Sequence, residues 1–389
     1  MQENLKVLMI IPTFWPRQGG AQMVIKKIHD KLEGKAQFTV LTRKYKNTPY
    51  QEKIEDIKIH RYLNPAPEKW KDYATGTKKV KTWQIIVVAF FDTLCSIPKI
   101  VKLGKKHDAI HIHFPLPLGI SAILSRFLHK KPMMTTLHGN ADIYEPSKFF
   151  YRPTAFVLKR VNGISAVSQD LNDFTKENLK VKKDITTIRN GVDVDYYKPI
   201  PDLKKDNNTL RIFSICRLVP RKHVDTIVKA INLLKEQKNI TNIEYYIGGT
   251  GSELGKLEKM AANNPSQIKL TGYLSEEDKI KELTLADLFV QLSTREGFSI
   301  SNLEAMACET ASIVTNIIGV REPIMGGNCG YLLDDPKDVE ATAKILEEAV
   351  NNLDKIREMG KQARKHVIEN QYTEKSMAEK YYQLYQSIT

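Results

Sequence analysis

The chain has 389 residues, 42% hydrophobic and 27% charged, with a formal net charge of +14. That length predicts two domains, each large enough for its own core. Four scattered cysteines, Cys95, Cys216, Cys308 and Cys329, argue against a disulfide framework or a zinc site and fit a reducing cytosol. The opening MQENLKVLMIIP carries an acidic residue and an apolar run of only strand length, so it does not read as a signal peptide. The longest uninterrupted apolar run, 85–91, is too short to span a bilayer.

Short β-rich runs alternate with longer helical patterns. Strands are predicted over 6–11, 38–42, 57–62, 109–113, 133–137 and 163–167, and again over 211–216, 244–247, 268–271, 288–292 and 312–315. Such alternation predicts parallel sheets with crossover helices, one sheet per half. The polar, proline-containing stretch 198–209 reads as the linker. Ligands of doubly wound sheets bind outside the carboxyl ends of the strands, so the loops there carry the functional reading.

After the first strand, Gly19-Gly20 precedes a helix; it is either an ordinary tight turn or a place where backbone N–H groups approach a ligand. No GxGxxG accompanies it. The stretch from Lys69 to Trp83, with Lys71, Lys78, Lys79 and Lys81, sets cations and tryptophans before the apolar run 85–91. It fits either a solvated loop before a buried helix or a segment at an anionic membrane interface. Residues 1–200 hold 34 Lys and Arg against 18 Asp and Glu, and the remainder 25 against 27. This asymmetry favours the membrane reading and predicts a polyanionic partner for the first half. A nucleic acid is disfavoured, because no recognition helix, RNA-binding signature or aromatic platform is present.

Further along, His138-Gly139-Asn140-Ala141-Asp142 ends a strand, and His138 is either a structural histidine or one that reaches a ligand. Asp193-Val194-Asp195 spells a metal-site DxD by coincidence, and no metal is expected. Arg217, Arg221 and Lys222 precede a helix, as a solvated basic turn or a diphosphate clamp. Gly248-Gly249-Thr250-Gly251 and Thr271-Gly272-Tyr273 end the next two strands. The richest stretch is EGFSISNLEAMA, with Glu296 and Glu304 flanking a glycine-bearing turn and a helix start. A helix N-terminus favours anions, while carboxylates suit sugar hydroxyls, and the two together describe a nucleotide sugar. Taken singly, Glu296 also reads as a solvated carboxylate, and Glu304 as a capping-box partner of Ser301.

As an ordered set, these pieces resemble the family 4 glycosyltransferases of the GT-B fold over nearly the whole chain. They include Gly19-Gly20, His138-Gly139, Arg189-Asn190-Gly191-Val192-Asp193, Arg217 with Lys222, Gly248-Gly249-Thr250-Gly251, Gly272 and, most specifically, the Glu296–Glu304 pair. Gln22, His223 and Ser299 depart from the residues usual in the family, which are glutamate, glycine, and glycine or proline. The resemblance implies an α/β chain of two Rossmann-like doubly wound domains facing across a cleft. Residues 1–195 would bind the acceptor, residues 196–372 the donor, and the helix 373–389 would cross back to the first domain.

It further implies a retaining hexosyltransferase using a UDP- or GDP-sugar, without cofactor or metal. Arg217 and Lys222 would neutralise the diphosphate, Glu304 hold the ribose and Glu296 position the sugar. Amides near Phe298, Ser299 and Ile300 would meet sugar and distal phosphate, and Gly249 and Tyr273 would belong to the donor site. His138 would sit near the anomeric centre, and Gly19 and Gly20 would close from the first domain. The expected acceptor is a lipid-linked or cell-envelope glycan, handled by a cytoplasmic protein peripheral on the inner face of the membrane. The alternatives are a small soluble acceptor or nucleotide-sugar epimerisation.

Overall fold

A computed structural model describes residues 4–17, 19–71, 80–139 and 150–389. They form two units, residues 1–190 with 374–389, and residues 191–373.

The first unit is built on one sheet of order β3-β4-β2-β1-β5-β6-β7-β8. Its strands are β1 (Leu5–Ile10), β2 (Ala36–Arg43), β3 (Gln51–Ile54), β4 (Ile57–Tyr62), β5 (Ala109–His113), β6 (Met133–Leu137), β7 (Gly163–Ala166) and β8 (Thr186–Thr187). All neighbours are parallel except β3 and β4. β1 is central, with Val7 facing Phe38 on one side and Ala109 on the other. Its residues from Val7 to Ile10 are wholly buried, as expected of a parallel strand covered on both faces. β3 was not predicted. It is a half-exposed polar edge strand closed by Glu55 and Asp56, both at positive φ, the geometry a two-residue hairpin turn requires.

The helices of this unit are α1 (Gly20–Lys31), α2 (Thr82–Gly104), α3 (Leu118–Leu124), α4 (Arg126–His129), α5 (Tyr151–Leu158) and α6 (Gln169–Leu179). The apolar run 85–91 lies inside α2, which at 23 residues is long and apolar enough to cross a membrane, by length and composition alone. One face of α2 is fastened to the sheet through a buried carboxylate. Asp92 accepts from Arg43 Nε at 2.8 Å, Tyr62 Oη at 2.9 Å and Asn64 Nδ2 at 2.6 Å. A buried charge persists only when paired and hydrogen-bonded in this way. The same region corrects the expectation for Lys71. Its side chain is buried and paired with Glu68 at 3.2 Å, so it does not face outward as Lys69 and Lys81 do. Lys78 and Lys79 lie outside the described residues.

The second unit has an all-parallel sheet of order β11-β10-β9-β12-β13-β14. The strands are β9 (Leu210–Ile215), β10 (Ile243–Gly248), β11 (Ile268–Gly272), β12 (Leu288–Gln291), β13 (Ala311–Thr315) and β14 (Gly330–Leu333). From β9 to β13 they alternate with α7 (Val224–Lys238), α8 (Leu254–Ala262), α9 (Glu276–Leu285) and α10 (Ile300–Ala307), and α11 (Val339–Asn351) and α12 (Leu353–Glu369) follow β14. This is the order of a dinucleotide-type Rossmann sheet. The core lies between sheet and helices, around Ile212, Ile231, Tyr245, Leu288, Ile313 and Leu346.

The stretch 198–209 is tied to this unit rather than free: Lys205 Nζ donates to Ala286 O at 2.6 Å and Arg357 Nη1 to Asn207 Oδ1 at 2.9 Å. The chain enters and leaves the unit side by side, with Val192 N donating to Tyr372 O at 3.0 Å. The last helix, α13 (Glu374–Ile388), packs on the first unit. Its Tyr381 and Tyr385 are fully buried, Tyr385 Oη lies 2.7 Å from His111 Nδ1, and Glu374 pairs with Lys27 at 3.0 Å.

Candidate functional site

In the second sheet the strand order reverses between β9 and β12, the place where sheets of this kind bind their ligands. The structure joins the loops leaving these two strands. Thr294 N donates to Arg221 O at 3.0 Å, Arg221 Nη1 donates to Arg295 O at 3.2 Å, and Lys222 is ion-paired to Glu296. Burial pushes the Glu296 carboxyl upward, but the adjacent Lys222 ammonium outweighs it, and the group titrates below the ordinary carboxylate range. Arg217 is half-buried in the same loop. Burial, then the nearby Arg221, lowers its pKa, and the guanidinium remains a fixed cation. After Lys222 comes His223 at φ 45°, in the left-handed region. Glycine is favoured there, which accounts for glycine being usual at that position.

The loop after β12 ends at the N-terminus of α10. Ser299 is the N-cap: its hydroxyl accepts from Asn302 N at 3.2 Å and donates to Gln291 Oε1. The amides of Ile300 and Ser301 open the helix and have no partner one turn back. Phe298 turns its ring inward, edge-on to Tyr372 at 6.2 Å, so its backbone is what it offers a ligand. The capping-box alternative for Glu304 fails because the cap is Ser299, not Ser301. Glu304 instead lies one turn into α10, buried, with an oxygen 3.0 Å from Lys279 Nζ. Lys279 also pairs with Glu276, which accepts from Tyr197 Oη. Burial disfavours the Lys279 charge, but Glu304 and Glu276 outweigh it and raise its pKa.

Two glycines set the approach of other loops. Gly249, at φ +117°, donates to Gly272 O at 2.6 Å, and a Cβ there would stand 1.9 Å from Cys216 O. Only glycine lets the loop after β10 press against the loop after β9. Tyr273, after β11, is 87% exposed, a free aromatic face at the same end of the sheet. Gly319, at φ +78°, packs on the Glu296 turn so closely that a Cβ would lie 1.9 Å from Gly297 O. The sequence reading missed this loop after β13, although it repeats the strand-end glycine used elsewhere. It also missed Lys279 and Tyr197, whose pairing no local pattern announces.

In the first unit, Gly19 is the N-cap of α1 and Gly20 its first residue. Gln22 Nε2 donates to Thr13 O at 2.8 Å, bracing the loop after β1. His138 follows β6, half-buried, with Nε2 2.8 Å from His113 Nδ1 and the rings stacked. Burial drives His138 down to about 3 and holds His111 and His113 well below the ordinary range. His138 is therefore a neutral hydrogen-bonding imidazole at physiological pH. Asn140, Ala141 and Asp142 lie outside the described residues. Asp193 makes a turn, its Oδ1 accepting from the amides of Asp195 and Tyr196 at 3.1 Å each. Among the described residues no three His, Cys, Asp or Glu side chains gather as a metal site.

Two family models match the chain, Glycosyltransferase Family 4 over residues 18–196 and Glycosyl transferases group 1 over residues 198–366. The chain is 28% identical over 287 residues to N-acetyl-alpha-D-glucosaminyl L-malate synthase of Bacillus anthracis, covering 70% of this chain and 73% of that one. It is 28% identical over 278 residues to poly(ribitol-phosphate) alpha-N-acetylglucosaminyltransferase of Staphylococcus aureus, covering 66% and 53%. Among solved structures, Anabaena HepE in complex with UDP-glucose superposes with a TM-score of 0.75 at 16% identity, over 99% of this chain and 100% of that one.

Proposed function

We propose that this chain, which belongs to the family 4 glycosyltransferases and has the GT-B fold, is a hexosyltransferase that moves a sugar from a UDP- or GDP-sugar to a cell-envelope or lipid-linked glycan with retention of configuration. The observation that carries the donor reading is the junction at the sheet's reversal, where Lys222, from the loop that also holds Arg217, is paired to Glu296 on the turn leading into the open amides of α10. Glycosyl transfer develops positive charge on the sugar and negative charge on the departing diphosphate. Fixed cations and helix-end amides aimed at that diphosphate supply the main electrostatic stabilisation. Arg217 and Lys222 neutralise the phosphates, Glu296 orients sugar hydroxyls, and the Phe298–Ile300 backbone meets the sugar and distal phosphate. Glu304, held rigid by Lys279, accepts from the ribose. Gly249 lets its loop close on the Cys216 backbone beside the donor, and Tyr273 offers its face to the base. No metal takes part.

In the first unit, His138 is a neutral imidazole able to donate a hydrogen bond to a sugar hydroxyl, and the Gly19-Gly20 turn has backbone amides to offer a ligand. A polymeric envelope acceptor is supported by the staphylococcal relative, whose name gives poly(ribitol-phosphate). The malate acceptor named for the Bacillus relative favours a second reading, a small anionic acceptor. The excess cations of residues 1–200 support docking of the protein to an anionic membrane, which the second reading does not need.

Calorimetric titration tests the donor reading. Arg217→Ala or Lys222→Ala is expected to weaken UDP or GDP far more than the bare nucleoside, because the lost contacts are charge-assisted. Equal losses for nucleotide and nucleoside would remove both residues from a diphosphate clamp.

A further inference from the structure

Helix α2 is inside-out. On an ordinary surface helix the apolar stripe faces the core and the polar face meets water. Here the buried stripe is Val88, Asp92, Ser96 and Ile100, while the opposite stripe, Trp83, Ile86, Phe90 and Leu94, is 42–57% exposed. Asp92 explains the orientation, since its pairing with Arg43, Tyr62 and Asn64 fixes which side faces the sheet. α3 and α4 pack against α2 and add Leu124, Phe127 and Leu128, with Phe127 85% exposed. Large apolar side chains gathered on a surface mark a docking site.

The charges around this patch identify what docks. From residue 80 to 135 the chain carries eight Lys and Arg and two acids, and one of those acids is the buried Asp92. Lys102, Lys105, Lys106 and Lys130 are exposed, and Lys99 and Lys131 partly so. A second copy of the same face would bring two cationic rims together, which disfavours self-association. Apolar and aromatic side chains rimmed by lysines match an anionic bilayer, with rings entering the acyl boundary and ammonium groups at the headgroups. Trp83 stands at the end of the stripe, edge-on to Trp70 at 5.0 Å, and tryptophan favours that boundary.

We propose that the outer face of α2, with Phe127 and Leu128 of α4, inserts into the interfacial layer of an anionic membrane, and that the lysines at the α2 C-terminus and after α4 hold it there. The proposal rests on the membrane reading above and names its surface. Insertion lies along the helix and not across the bilayer, because Asp92 keeps α2 on the sheet.

The test uses the full chain with vesicles of phosphatidylglycerol and phosphatidylcholine, against phosphatidylcholine alone. The wild type is expected to sediment with the anionic vesicles, and brominated acyl chains are expected to quench its fluorescence, with Trp83→Phe losing most of the quenching. Phe90→Ser/Phe127→Ser is expected to lower partitioning by at least about tenfold, with UDP affinity unchanged. Each of Lys99, Lys102, Lys105 and Lys106 changed to glutamine is expected to lower it by about fivefold.

If the wild type does not sediment with anionic vesicles at low salt, the membrane reading and this surface fall together, while UDP binding still reports on the donor site. If it sediments but the serine variant sediments equally and Trp83 is not quenched, the membrane reading survives and this surface is wrong. If the serine substitutions instead convert a dimer to a monomer in gel filtration, the face is a contact between copies and the proposal is overturned.

Discussion

Changing Glu296 to glutamine is expected to tighten the binding of UDP. In the structure Lys222 is committed to Glu296, with only 11% and 18% of the two side chains exposed. A diphosphate must draw Lys222 away or share it. Two unit charges in contact near a protein surface attract by about 5 kcal/mol at an effective dielectric of about 20, and desolvation removes much of that. A net coupling of about 1–2 kcal/mol remains, which bound UDP must overcome. UDP lacks the sugar, so the contact proposed for Glu296 is not at stake in this titration. The Gln variant should therefore bind UDP about five- to thirtyfold more tightly, while turnover with the full donor falls because the sugar loses its partner.

The pH dependence has a defined sign. The Glu296 carboxyl titrates below its ordinary range, so the pair is intact at neutral pH and is lost only as pH falls through that lowered value. The advantage of the variant should be constant from neutral pH through the ordinary carboxylate range and shrink only as pH falls through that lowered value. Isothermal titration of wild type and variant with UDP across that range reads all of this. A variant that binds UDP more weakly than wild type at pH 7 would mean that Lys222 does not serve the diphosphate.

Glu304→Gln leaves buried Lys279 without one of its two carboxylate partners, so it should lower stability by about 1–3 kcal/mol as well as nucleotide affinity. Glu304→Gln paired with Lys279→Met should recover the stability and not the affinity, whereas recovery of both would make Glu304 a structural partner only. Tyr273→Ala should weaken UDP and uridine alike, since a base-stacking ring does not touch the phosphates; a loss confined to UDP would refute that role. His111 and His113 titrate far below their unfolded value, and His138 near 3. The unfolded chain binds more protons between about pH 3 and 6.5, so stability should fall with acidification over that window, by up to about 1.4 kcal/mol per pH unit for each histidine. Denaturant titrations that are flat from pH 6.5 to 4.5 would contradict three histidines held neutral in the fold.

The parts legible in the sequence are those whose cause is local. Central strands such as β1 and β12 are mainly apolar runs, and they fall within a residue of where the pattern places them. β3 escaped notice because its Gln-Glu-Lys-Ile lies at an edge with water on one side, where burial imposes no pattern. β8, two residues long, leaves no periodicity to read. The same division runs through the site. The glycine-bearing turn before α10 is written in consecutive residues, but the alternative that made Ser301 the cap names the wrong serine. Ser299 and Ser301 both fit a capping signal, and only the hydrogen bonds to Asn302 and Gln291 separate them.

The partners of the charged residues lay further from view. Lys222 and Glu296 are 74 positions apart, and Glu304 meets Lys279 from a different helix. Each was legible as a cation or carboxylate suited to a nucleotide sugar, but not as half of an ion pair. That difference changes the chemistry assigned to the site. A lysine waiting in solvent binds a diphosphate by attraction alone, whereas a lysine already neutralised binds it by exchange of partners. Exchange frees the Glu296 carboxylate at the moment the phosphates arrive, so it becomes available to sugar hydroxyls only when a donor is present. In that arrangement the two functions proposed for the junction, phosphate neutralisation and sugar orientation, are coupled through one ion pair. Loss of Lys222 should then leave Glu296 unpaired with or without a donor, so turnover at saturating donor should fall in Lys222→Ala only through the lost stabilisation of the departing diphosphate.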